Sequence, residues 1–153
     1  MLICKKNSTA TFIGHRECSN LQDNLIRNEI EKLVLKGIVV FLNGGMGDFD
    51  WKCARLVYEM KIKYPYIQNL LVIPYLNFNI KEVKYFDSII YPDGFEKYYF
   101  KSAIPKRNNY LVENSSYAIC YITHLWGGAA TTYKKALKNG VTIINVGDKE
   151  NLI

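Results

Sequence analysis

The sequence predicts an α/β fold in which a mostly parallel sheet carries helices on both faces. Short apolar runs typical of buried strands alternate along the chain with longer amphipathic stretches typical of helices. Several of these runs are continuously apolar, as expected for strands that are covered on both sides. Glycine-rich turns follow two of them, at residues 43–47 and 126–132, which we call the first and second glycine turns.

The individual elements follow from apolar periodicity and from the residues that interrupt it. Strands are predicted at residues 9–13, 38–42, 69–74, 117–122 and 141–146, and residues 88–91 form a further short apolar run. Helices are predicted at residues 20–36, 50–63 and 128–139, and residues 95–114 are expected to contain two helical pieces divided by Pro105. No linker, repeat or low-complexity segment interrupts this order, so we expect residues 1–153 to form a single domain.

The composition is that of an ordinary globular protein, with 49% hydrophobic and 22% charged residues. No apolar run approaches the roughly 20 residues that cross a bilayer, and the first residues lack the features of a signal peptide. We therefore expect a cytoplasmic protein without a membrane partner. Four scattered cysteines are expected to be free thiols, and with two histidines in the chain we expect no metal site and no cofactor.

The net charge of +6 favours anionic partners. Because the lysines are spread along the chain, we expect a small anionic ligand rather than nucleic acid. In parallel sheets, ligands bind beyond the carboxyl ends of the strands. The segments predicted at these ends are Gly14-His15-Arg16, the two glycine turns and Tyr75. We expect the two turns to lie side by side and to hold one nucleotide-like ligand.

Neither glycine turn matches the G-x-G-x-x-G or P-loop fingerprint, which disfavours a classical dinucleotide dehydrogenase or a P-loop NTPase. A glycine turn before a helix still offers free N–H groups and a positive dipole to a phosphate. The alternative is that both are only tight strand-to-helix turns, with the threonines capping a helix. The candidate binding residues in the turns are Gly44, Gly45, Met46, Gly47, Gly127, Gly128, Ala129, Thr131 and Thr132.

Charged side chains near the same strand ends have two interpretations each. Arg16 and Arg107 are candidates for ligand contact, although an arginine is also a common surface ion-pair partner. His15 is either a proton carrier or ligand contact, or a structural imidazole. One of Asp48 and Asp50 is expected to cap the second helix. The other would then lie near ribose hydroxyls or an attacking water, which makes both aspartates catalytic candidates.

Five segments in consistent order resemble the SLOG superfamily, which includes the LOG cytokinin-activating enzymes and DprA proteins. The branch that looks most similar is the YpsA-like group. The segments are TFIGHR (residues 11–16), NGGMGDFDWKCA (43–54), VIPY (72–75), AIPKRNNYLVENSSYAICYI (103–122) and WGGAATTYKKALKNGVTIIN (126–145). The resemblance implies a Rossmann-like domain that binds a nucleotide derivative at the two glycine turns, and it implies homo-oligomers.

LOG enzymes hydrolyse the N-glycosidic bond of nucleoside monophosphates through a P-G-G-x-G-T-x-x-E motif. Gly127, Gly128 and Thr131 match that motif, whereas Trp126 replaces the proline, Ala130 the later glycine and Tyr133 the glutamate. Without that carboxylate, the favoured function is nucleotide binding. The alternatives are an N-glycosidase that uses Asp48 or Asp50 instead, and a DNA-associated protein.

Overall fold

The computed structural model describes residues 5–147, which form four helices and one six-stranded parallel sheet. The strands are β1 (Thr9–Gly14), β2 (Val40–Asn43), β3 (Gln68–Val72), β4 (Ser88–Ile90), β5 (Tyr117–Tyr121) and β6 (Thr142–Asn145). The helices are α1 (Asp23–Leu35), α2 (Asp48–Met60), α3 (Phe100–Glu113) and α4 (Gly128–Lys138). Single turns of 3-10 helix occur at Lys6–Ser8, Val83–Tyr85 and Phe95–Lys97.

The sheet confirms the predicted fold class. All five strand pairs are parallel, in the order β4-β3-β2-β1-β5-β6. The inner strands are buried along nearly their whole length, which agrees with the continuous apolar runs in the sequence. Every predicted strand is present, and its bounds shift by at most a few residues, whereas β4 forms in the short apolar run that the sequence left unassigned.

Helices cover both faces of the sheet. On one face, Phe12, Phe41 and Ile119 of the sheet share a core with the buried side chains of α1 and α2. On the other face, strand residues pack against Val112 of α3 and Ala136 of α4. The alternation of side chains along each strand places consecutive residues in these two separate cores.

The order of the strands creates a crevice beside β1. The chain runs from β1 through β2 and β3 to β4 on one side, and then returns to place β5 on the other side of β1. The connections that leave the carboxyl ends of β1 and β5 therefore diverge, which opens a crevice between them.

One predicted boundary is wrong. Pro105 does not divide two helical pieces, because α3 continues through it from Phe100 to Glu113. The proline is exposed and lies in the second turn of the helix, where its missing N–H forfeits only one hydrogen bond. The break between helical pieces instead falls at Tyr98 and Tyr99, after the short 3-10 turn.

Some sequence expectations concern the ends of the chain. The expectation that the first residues form no signal peptide concerns residues 1–4, which include Cys4 and lie outside the described residues. Cys18, Cys53 and Cys120 are buried free thiols. Within residues 5–147, no group of three His, Cys, Asp or Glu side chains is arranged to hold a metal ion. None of the helices described there has the length and apolar character needed to cross a membrane.

Candidate functional site

A cavity of about 680 Å³ opens at the crevice between β1 and β5. Its walls come from the segments after β1 and β5, from both glycine turns and from α3. The lining residues beyond the strand interiors are Gly14, His15, Arg16, Glu17, Met46, Gly47, Asp50, Ile104, Asn108, Leu111, Thr123, His124, Trp126, Gly127, Gly128, Ala129 and Thr132. The volume lies in the range of small-molecule sites in proteins.

The first glycine turn is largely satisfied by its own surroundings. The Asn43 side chain accepts the Gly45 N–H at 2.7 Å, and an Asp50 carboxylate oxygen accepts the Met46 N–H at 3.0 Å. The Asp48 N–H donates to the Arg16 carbonyl at 2.8 Å. Three amides at this turn are therefore already bonded, which leaves few of them for a ligand.

Arg107 lies beneath the first turn and is fully buried. Its Nη1 donates to the carbonyls of Gly44 at 2.6 Å and Val72 at 2.9 Å, and its Nε donates to Asn108 at 3.0 Å. Burial lowers the pKa of Arg107 to about 10, although the charge of Asp50 opposes this shift. Arg107 lines neither cavity and holds together the ends of β2 and β3, and its contact with a ligand stays a prediction.

The second glycine turn is open. Gly127 precedes α4 with a φ of 95°, a conformation that glycine adopts readily, and no side chain caps the helix. Across residues 5–147 we find no acceptor for the N–H groups of Gly128, Ala129 and Ala130. The first turn of α4 also contains no acidic residue. This helix start therefore keeps unpaired donors and an uncompensated positive dipole beside the cavity.

The two aspartates have different environments. α2 begins at Asp48 after Gly47, and neither aspartate is its N-cap. Asp50 lines the cavity and is 9% exposed, and burial raises its pKa to about 6 although the Met46 amide, Arg107 and Arg16 oppose the shift. Asp48 is exposed and lines a neighbouring cavity instead. The expectation that one of the two aspartates caps α2 is therefore wrong, and Asp48, as a catalytic candidate, lies outside the main cavity.

His15 and Arg16 both reach the cavity. The Nε2 of His15 accepts the Thr123 N–H at 3.0 Å, which assigns the proton of the neutral ring to Nδ1. Burial and the nearby His124 lower the pKa of His15. The Arg16 side chain is exposed and makes no hydrogen bond among residues 5–147. It is therefore a cation that remains available at the rim of the site.

Three aromatic rings stack at the mouth of the cavity. The ring centroids of His15 and His124 are 3.7 Å apart, and those of His124 and Trp126 are 3.8 Å apart, with interplanar angles of 10° and 18°. Tyr121 packs against His15 in a T-shaped arrangement, with ring centroids 6.1 Å apart. Trp126 forms the outer end and is 72% exposed.

Several predicted residues lie elsewhere. A second cavity of about 520 Å³ is separated from the first by the first glycine turn, and Gly45 and Tyr75 line it together with Asp48. Gly44 is buried above Arg107 and lines neither cavity. These residues are displaced from the main site because the turn presents different residues to its two sides.

The two threonines do not cap α4. The hydroxyls of Thr131 and Thr132 donate to the carbonyls of Gly127 and Gly128, each at 3.1 Å. This is the bond that helical threonines make to the residue four positions earlier. Thr131 is exposed and outside the cavity, whereas Thr132 lines it. Of the two candidate binding threonines, only Thr132 therefore reaches the cavity.

The sequence did not single out Glu17, Ile104, Thr123 and His124, all of which line the cavity. Thr123 and His124 follow β5 directly, so the rule that sites form at carboxyl ends of strands points to them. Ile104 and Asn108 come from α3, and no local pattern shows which face of that helix meets the site.

No protein-family model matches the sequence, and no curated protein is significantly similar to it. Among solved structures, the chain is similar to the DNA processing protein A (DprA) from Streptococcus pneumoniae, with a TM-score of 0.65 and 16% identity. The match covers 90% of this chain and 49% of that protein, so this chain spans about half the length of its structural neighbour. The chain therefore has a Rossmann-like α/β fold similar to that of DprA.

Proposed function

We propose that this chain binds a nucleotide or a nucleotide-derived ligand in the cavity between β1 and β5. The observation that carries the proposal is the second glycine turn, whose helix start offers unpaired N–H groups and no acidic residue to the cavity. The phosphate of the ligand would bind at this turn. The ribose would lie toward the first turn and Asp50, where a carboxylate can accept hydrogen bonds from hydroxyl groups.

The charges around the cavity agree with this orientation. Arg16 at the rim is free to pair with a phosphate, whereas Asp50 on the opposite wall would repel one. In this proposal the anionic end of the ligand would point away from α2 and toward α4. We expected the two glycine turns to bind the ligand together. In this proposal the second turn binds the phosphate, and the first turn lies beside the ribose.

Titration with AMP, ADP-ribose, NAD and cyclic nucleotides tests the proposal. We expect at least one of them to raise the melting temperature in a thermal-shift assay and to release or absorb heat in calorimetry. Failure of all of them to bind at millimolar concentration would contradict nucleotide binding.

A second candidate is hydrolysis of the N-glycosidic bond of a nucleotide, and the position of Asp50 supports it. A carboxyl group with a pKa of about 6 inside the cavity is suited to hold or release a proton near neutral pH. Tyr133, which replaces the glutamate of the LOG motif, does not line the cavity. Release of free base from nucleoside monophosphates should then be lost in Asp50→Asn and kept in Asp48→Asn. Activity that survives Asp50→Asn would remove this mechanism.

The name of the structural neighbour and the net charge of +6 support a third candidate, association with DNA. It predicts an affinity for DNA that falls steeply as salt is added. Absence of binding at low salt would dispose of it. Membership of the YpsA-like branch and homo-oligomer formation remain proposals that rest on the sequence resemblance. Cytoplasmic location remains a proposal that rests on the apolar pattern of the sequence.

A further inference from the structure

We propose that the exposed face of Trp126 is the stacking platform for the base of the ligand. This inference rests on the nucleotide-binding function proposed above and adds where the base lies. The rings of His15, His124 and Trp126 already form a continuous stack with centroid separations of 3.7 and 3.8 Å. Tyr121 packs against His15 at one end of the stack in a T-shaped contact, and Trp126 at the other end is 72% exposed.

The stack holds the indole in a defined orientation before a ligand arrives. His15 is fixed by the hydrogen bond from the Thr123 amide, and His124 lies between the other two rings. A flat ring that is exposed yet oriented offers a stacking surface at a low cost in conformational entropy. Aromatic side chains stack on any base, because every base has a π-face.

The position of Trp126 also suits a nucleotide. It directly precedes Gly127 and Gly128, and consecutive Cα atoms are about 3.8 Å apart. The indole and the open amides of α4 are therefore within the span of a single nucleotide, and both line the same cavity. A base on Trp126 and a phosphate at α4 would be joined by a ribose that faces Asp50. The larger ring system of a purine covers more of the indole, so the structure favours purine nucleotides.

The test compares probes with and without a base. AMP and ribose 5-phosphate are titrated calorimetrically into the wild-type chain, Trp126→Ala and Trp126→Phe. Trp126→Ala should bind AMP about 5- to 150-fold more weakly, because stacking contributes roughly 1–3 kcal/mol per base. Trp126→Phe should retain part of the affinity. Ribose 5-phosphate, which has no base, should bind all three chains equally. AMP should also quench tryptophan fluorescence in the wild type and not in Trp126→Phe.

Tyr66→Ala is the matched control, since Tyr66 is another aromatic residue with 56% exposure and it precedes β3 at the opposite end of the sheet. It should leave both affinities unchanged. Equal AMP affinity of Trp126→Ala and the wild type would overturn the inference. An equal loss of affinity for AMP and for ribose 5-phosphate in Trp126→Ala would also overturn it. A Trp126→Ala variant that changes only the sedimentation of the protein would place the indole in a contact between copies. If the wild type binds neither probe, the proposed function itself fails at this site, and that result is distinct from the others.

Discussion

The two glycine turns look alike in the sequence and differ in what surrounds them. In the first, amide groups are bonded to Asn43, Asp50 and the Arg16 carbonyl, and Arg107 holds the turn from below. In the second, Gly127 and Gly128 are exposed, and a Cβ atom built on either one meets nothing within 4 Å. A glycine turn before a helix is thus an anion site only where its donors are left unpaired.

The strongest way to break the first turn is to remove Arg107. Arg107→Leu leaves the carbonyls of Gly44 and Val72 buried without their donor, and it removes one of the two positive charges that act on Asp50. We expect the free energy of unfolding to fall by about 3–5 kcal/mol. Urea denaturation measures this loss. Arg107→Lys keeps the positive charge but can make fewer of the hydrogen bonds. Its free energy of unfolding should therefore lie between those of the wild type and Arg107→Leu. A loss below about 1 kcal/mol in Arg107→Leu would show that the turn does not depend on this side chain.

The same substitution in each turn sharpens the contrast. A Cβ atom at Gly47 would lie 2.7 Å from the Cα of Arg16, and that backbone cannot move without disturbing its bond to the Asp48 amide. Gly47→Ala should therefore cost about 1–3 kcal/mol of unfolding free energy. Gly128→Ala meets open space at the start of a helix, so its effect should remain within about 0.5 kcal/mol. Denaturation curves of the two variants check the difference, and equal losses would contradict it.

The sequence predicted the sheet and the ends of its strands well, because buried parallel strands are continuously apolar and glycines mark where they stop. The sequence could not show that the first turn is held by a buried arginine, because Arg107 is 63 residues from Gly44 along the chain. The sequence places Arg107 on a helix without showing which way it points. His124 and Trp126 were not combined into a stack for the same reason: their partner His15 comes from the other side of the crevice.

The Asp50 carboxylate, which accepts the Met46 amide of the first turn, makes the stability of the protein depend on pH. Its pKa of about 6 in the folded state lies above the ordinary 3.8, so the folded protein binds more protons between about pH 4 and 6. Stability is therefore lost as the pH rises through that window. Asp50→Asn avoids this loss and should gain about 1–3 kcal/mol of unfolding free energy at pH 7.5, with the gain shrinking toward pH 4.

The control for this pH dependence is Asp48→Asn. Asp48 is exposed in the first turn of α2, where a carboxylate interacts favourably with the helix dipole. Asp48→Asn should therefore lose about 0.3–1 kcal/mol, opposite in sign to the change at Asp50. Urea denaturation of both variants at pH 4 and 7.5 gives the comparison. A gain at Asp50 that is the same at both pH values would show that the carboxyl is not titrating in that range.

A carboxylate introduced at the second turn should occupy its free amides, as Asp50 does for the Met46 amide in the first turn. Gly128 has an ordinary φ and space for a side chain, so Gly128→Asp should fold with unchanged or slightly higher stability, because the new charge lies at the start of α4. That charge would occupy the position proposed for the phosphate. Affinity for AMP and ribose 5-phosphate should fall about 10-fold or more, whereas Gly128→Asn, with the same shape and no charge, should lose less. Calorimetry at low and high salt distinguishes charge repulsion from steric effects. The difference in affinity between Gly128→Asp and Gly128→Asn should become smaller at high salt, because salt screens the repulsion. Equal affinities of the two variants would mean that the phosphate binds elsewhere, and the open helix start would then be only a turn.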